Sequence, residues 1–139
     1  MKTGHKRFVR NAHDKSEGKS FSFPTAFACA LHGLAYAFAS QRNMKIHLVG
    51  ALLAVVLGVV FGIAPAEWAV IALCIAVVFA CECMNTALEA VVDLVSPEYS
   101  ELAKHAKDCA AGAVLVCAFG SLVVAACIFL PRIISLIGF

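Results

Sequence analysis

Residues 109–130 form an unbroken apolar run without a single charge, and two further uncharged stretches, 48–64 and 68–81, precede it. A bilayer's hydrocarbon core of about 30 Å takes about 20 helical residues, and inside lipid the backbone must satisfy its own hydrogen bonds. Apolar runs of this length without alternation therefore predict membrane-spanning helices. Hydrophobic residues make up 62% of the chain and its mean hydropathy is +0.89, which excludes an ordinary soluble domain. With 139 residues there is room for one domain at most.

The fold class that follows is all-α and integral to the membrane. Spans are expected at about 46–64, 67–95 and 105–131, with an interfacial amphipathic helix at about 25–40 before them. That first helix carries Phe27, Leu31, Leu34 and Phe38 on one face; a short fourth span is the competing reading. Gly50, Ala54, Gly58 and Gly62 repeat every four residues, a face that lets another helix approach closely. Pro65 is expected to break the chain at a short external turn. Ser96 and Pro97 end the second span, residues 98–104 form a connection, and Pro131 closes the third span.

Eight of the eleven Lys and Arg residues precede Leu48. A basic nucleic-acid-binding segment is one explanation, but the positive-inside rule accounts for the asymmetry more simply and puts the N-terminus in the cytoplasm. Residues 1–22 read as a basic cytoplasmic tail, and no signal-peptide core occurs in them. The seven cysteines all sit in apolar segments and read as small packing residues rather than a disulfide framework or a zinc site.

Charge reappears inside the second span, in the stretch 82–93, ECMNTALEAVVD. On a helix, Glu82, Asn85, Glu89 and Asp93 fall within about 80° of one another. Glu82 then lies one to two turns inside the membrane boundary, Glu89 at it and Asp93 outside. An ionisable group at that depth points to function by default, although an interhelical polar clamp is the plainer alternative. Such a set can hold a hard cation, accept a proton from a hydroxyl away from bulk water, and, with Lys107, hold phosphate oxygens. These are the parts of phosphoryl transfer. No P-loop, kinase-type glycine-rich loop or His-Glu-x-x-His motif occurs, so a soluble NTPase fold is excluded. A rival of another class is a small oligomeric transporter or channel subunit whose acidic stripe binds a cation.

ECMNTALEAVVD followed by SPEYSELAKHAKDCAAGAVLV resembles the signature of the small prokaryotic integral-membrane diacylglycerol kinase family, and QRNMKIH resembles the first-helix motif of its undecaprenol kinase branch. The resemblance implies a homotrimer in the bacterial cytoplasmic (inner) membrane, with active sites shared between neighbours. The implied chemistry is phosphorylation of a membrane lipid alcohol by ATP with Mg2+. By position, Glu82 matches the catalytic base, Glu89 a metal-binding carboxylate and Asn85 an essential polar residue. Glu98, Tyr99 and Ser100 match a nucleotide-contacting loop, and Lys107 with Asp108 the pair that meets the ATP phosphates. Gly33, Asn43, Lys45 and His47 fall in the region lining the lipid and nucleotide site. One position departs from the pattern: Gln41 stands where the family has a second metal-binding Glu, leaving a neutral carbonyl oxygen in its place. A catalytically weakened member of the family is the corresponding alternative.

Overall fold

A computed structural model describes residues 23–138, and every regular element among them is helical: α1 (Phe23–Ser40), α2 (Arg42–Phe61), α3 (Pro65–Val95) and α4 (Glu101–Ile137). The expected basic tail lies outside the described residues. Helices α2, α3 and α4 are long and apolar enough to cross a membrane. Helix α1 is not among the helices long and apolar enough to do so. The chain divides into two compact units between His32 and Gly33, and the features below all belong to the second.

Each break has a local cause. Gln41 alone is extended, with φ −98° and ψ 123°, and separates α1 from α2. Helix α2 ends at Gly62, whose φ of 57° is left-handed and suits a residue without Cβ; Ile63 N–H then donates to the Gly58 carbonyl. Pro65 begins α3, where its missing N–H is not needed. The Glu67 carboxylate accepts from Ala64 N–H at 2.8 Å, capping that helix start. Ser100 caps α4 by accepting from Ala103 N–H.

Two boundaries differ from expectation. Residues Glu101 and Lys104 already belong to α4, so the connection shortens to residues 96–100. Pro131 lies inside α4, which continues to Ile137. Proline frees the carbonyl four residues earlier, and membrane helices tolerate this where side chains re-satisfy the backbone. Pro131 frees the Cys127 carbonyl; Arg132, the next residue, donates from Nη1 to the neighbouring Ile128 carbonyl and from Nη2 to Glu67 at 2.8 Å. That guanidinium ties α4, one residue past its proline, to the start of α3.

The apolar core sits at that same end. Ile63, Ile71, Ile128 and Phe129 are buried together, with Leu57, Phe61 and Trp68 against them. The buried positions of α3 run Ile71, Val78, Glu82, Asn85 and Thr86, so one helix face begins apolar and turns polar toward the far end. Helix α3 packs mainly against α4 and less extensively against α2. The small-residue stripe of α2 makes a close approach at Gly58, where a Cβ would stand 2.7 Å from the Trp68 ring. Around Gly50 the space is open. There Gly50 and Ala54 line an apolar cavity of about 310 Å3 between α2, α3 and α4.

Gly58→Leu is expected to cost roughly 1–3 kcal/mol by forcing Trp68 out of its place. A lower thermal midpoint in detergent micelles reads this, with Gly50→Ala, in open space within the same helix, as the control that does not lower the midpoint.

Candidate active site

The polar half of the α3 face forms a graded series. Glu82 is 1% exposed and Asn85 6%; Glu89 is half-buried, and the Asp93 side chain is 67% exposed. From Glu82 to Asp93 the helix rises about 16 Å at 1.5 Å per residue, so one stripe runs from the packed interior to the surface.

Helix α2 supplies the facing groups because Gln41, Met44 and His47 share a face at three-residue spacing. Met44 is fully buried between the two polar residues in sequence. Gln41 occupies the N-cap position of α2 but makes no side-chain cap. Its amide instead reaches across and donates from Nε2 to Glu89 Oε2 at 2.9 Å. Asn85 Nδ2 donates to the other oxygen of the same carboxylate at 3.3 Å. Glu89 is thereby held between two neutral amides.

Deeper in, His47 Nε2 stands 3.1 Å from Glu82 Oε1. The approach is close, but neither Glu82 oxygen receives an aligned hydrogen bond, and Asn85 Oδ1 is also without a donor. Three buried acceptor oxygens therefore face the interior of the bundle unsatisfied, which costs on the order of 1–3 kcal/mol for each neutral group and more for a charged one. Thr86 takes no part, since its hydroxyl donates to the Glu82 backbone carbonyl at 2.8 Å.

At the surface end, a second cavity of about 330 Å3 is lined by Asp93, Glu98, Tyr99, Ser100, Lys107 and Asp108, among others. Lys107 and Asp108, adjacent in sequence, face different partners. Lys107 pairs with Asp93 across from α3, and Lys104 pairs with Asp108 one turn along α4 at 2.9 Å. Tyr99 donates to Glu101 at 2.8 Å, and that carboxylate pushes the phenol above its ordinary range. These ion pairs are exposed and so contribute at most about 1 kcal/mol each. Either lysine can exchange its carboxylate for a phosphate at little cost.

The structure thus brings Gln41, His47, Glu82, Asn85 and Glu89 into one cluster, and Glu98, Tyr99, Ser100, Lys107 and Asp108 around one cavity. Asn43 and Lys45 are exposed and outside the hydrogen bonds of the cluster, and a Cβ built on Gly33 meets nothing within 4 Å. Sequence reading had no pairing for His47 or Asp93. The spacing of Gln41, Met44 and His47 held the signal for the first; for the second, only the packing of α4 on α3 reveals it.

A family model described as prokaryotic diacylglycerol kinase matches residues 28–129. The chain is 42% identical over 137 residues to a diacylglycerol kinase of Synechocystis sp., an alignment covering 97% of this chain and 76% of that protein. It is 37% identical over 111 residues to an undecaprenol kinase of Bacillus subtilis, covering 80% of this chain and 90% of that protein.

Because Gln41 donates to Glu89, Gln41→Glu would set two carboxylates against each other. The expected result is a loss of about 1 kcal/mol in the absence of divalent cation. Thermal unfolding read with and without Mg2+ checks it, with Mg2+ expected to raise the midpoint of the variant more than that of the wild type.

Proposed function

We propose a lipid kinase mechanism for this chain, which belongs to the prokaryotic diacylglycerol kinase family and phosphorylates a membrane lipid alcohol. In our reading the phosphoryl donor is ATP with Mg2+, the acceptor is undecaprenol or diacylglycerol, and the site faces the cytoplasm from a bacterial inner membrane. The observation that carries the reading is the stripe itself: a buried carboxylate at Glu82, a half-buried one at Glu89, and a lysine-bearing surface cavity, all in line along α3. A lipid hydroxyl lies near the depth of the first, and a nucleotide reaches the last from water.

Glu82 is the general base. Its oxygens are shut off from solvent and not already engaged by aligned donors, so they are available to a lipid hydroxyl's proton. It takes the hydroxyl proton as the lipid oxygen attacks the γ-phosphorus and ADP leaves. Lys107, released from Asp93, balances phosphate charge at the surface cavity, with Glu98, Tyr99 and Ser100 around the nucleotide. Asn85 holds Glu89 in place from the same helix.

Glu89 and Gln41 would hold the magnesium ion. Among the described residues no three acidic, His or Cys side chains converge as a metal cage. Magnesium brought by a nucleotide needs none, since it keeps several waters and takes one or two carboxylates plus phosphate oxygens. A half-buried carboxylate oriented by two amides fits that requirement, and rotation of the Gln41 amide presents its carbonyl oxygen. When bound, the ion neutralises charge on the transferring phosphate. The channel reading finds less support, because beyond Glu82 the cavity between α2, α3 and α4 is apolar.

The apolar faces of α2 and α4 left open, such as Val49, Leu52 and Val56 or Leu115, Phe119 and Leu122, suit contact with lipid and with further copies of the chain. A homotrimer with shared sites accords with them.

Purified protein in lipid micelles with radiolabelled ATP and each alcohol in turn is the direct test: phosphorylated lipid is expected, and none with either alcohol sinks the reading. Glu82→Gln is expected to lower kcat by at least about 100-fold while the protein stays folded. Lys107→Ala should act mainly through a raised KM for MgATP.

A further inference from the structure

A buried carboxylate that must accept a proton has to be aimed as well as desolvated. Glu82 has both oxygens shut off from solvent and no aligned donor on either, so little in its own helix fixes the carboxylate's rotation. The group that approaches it comes from α2. His47 Nε2 lies 3.1 Å from Oε1, while Oε2 has no such neighbour among the described residues. His47 is also the side chain that stands between two environments. It is 21% exposed, touches Glu82 on one side, and lines the apolar cavity on the other. The cavity's remaining polar side chains are Ser121 and the Cys74 thiol, and Glu82 is not part of its wall.

Resting on the lipid kinase reading with Glu82 as base, we infer that His47 is a positioning residue for Glu82. Nε2 stands within reach of Oε1 without being aligned on it; rotation of the ring as the acceptor binds brings Nε2–H onto Oε1 and turns Oε2 toward the acceptor hydroxyl. An imidazole donates from Nε2 both as the neutral Nε2–H tautomer and as the cation, so the role requires no change of protonation during turnover. The second ring nitrogen remains free for a water or a lipid polar group. The arrangement uses the same logic as a hydrogen-bonded pair in which one member fixes the orientation of the other. It differs in that the carboxylate here is the reacting partner and the imidazole the support. Misplacement of a reacting group by about 1 Å costs on the order of 100-fold in rate, so the loss of this contact should appear in kcat, with nucleotide binding left alone at the distant surface cavity.

Two conservative changes separate aim from bulk. His47→Gln places an amide Nε2 donor near the position of the imidazole Nε2, whereas His47→Leu fills the space without a donor. The expected result is a kcat for His47→Leu lowered about 100-fold with the KM for MgATP unchanged, and recovery of most of that loss in His47→Gln. An independent measurement needs no activity. Protein labelled with 15N-histidine in lipid nanodiscs is expected to show His47 protonated at Nε2 at neutral pH, and Glu82→Gln to shift that resonance while those of the other histidines stay. If the wild type phosphorylates lipid but His47→Gln is as impaired as His47→Leu, or both change KM for MgATP as much as kcat, the positioning role is overturned and the kinase reading stands. A His47 resonance indifferent to Glu82→Gln also overturns it. A wild type without kinase activity overturns the kinase reading and the catalytic role of His47 with it.

Discussion

A carboxylate withdrawn from water inside an apolar bundle sets the terms for the rest of this protein. Burial of Glu82 to 1% exposure is unfavourable on its own, because the low dielectric around it penalises charge and no aligned donor compensates. Such a group persists only where the surrounding helices hold it. The far end of the bundle provides that hold. Ile63, Ile71, Ile128 and Phe129 pack together there, and Arg132 joins Glu67 across the ends of α4 and α3. The cluster of buried apolar side chains lies at one end, and the unsatisfied polar atoms of Glu82 and Asn85 toward the other.

That division explains how a small chain keeps strain near its chemistry without losing its fold. The α3 face changes character along its length, from Ile71 and Val78 to Glu82 and Asn85, while its main neighbours remain the same two helices. Between the halves, the open space beside Gly50 leaves an apolar cavity that ends at His47. Beyond Glu89 the interactions become exposed ion pairs of low individual value, Lys107 with Asp93 and Lys104 with Asp108. Tight and costly contacts thus lie at lipid depth, and exchangeable ones where a charged ligand arrives. Relatives described as a diacylglycerol kinase and an undecaprenol kinase share this sequence framework, and the gradient gives the framework a physical order.

Much of this was legible from residue order alone, because a bilayer leaves few alternatives. Apolar length predicted the three long helices, and the period of 3.6 residues put Glu82, Asn85, Glu89 and Asp93 on one stripe. The errors came where a side chain far away in sequence repairs a local rule. Pro131 should end a helix on local grounds, yet α4 runs on to Ile137, with Arg132 anchored to Glu67, 65 residues earlier. The four-residue spacing of small residues predicted close contact along a whole face. Of its glycines only Gly58 makes it, since Gly62 serves as a left-handed cap and Gly50 borders empty space.

Sequence by itself determined the membrane setting, the helical class and the order of the polar residues along α3, since all three follow from local composition and helical period. The tertiary structure alone decided the partners: Gln41 turns its amide nitrogen to Glu89, His47 reaches Glu82, and Asp93 rather than Asp108 takes Lys107. Those pairings depend on the rotation and height at which α2 and α4 pack against α3. That register is set by how apolar side chains of the three helices interlock, which no local pattern encodes.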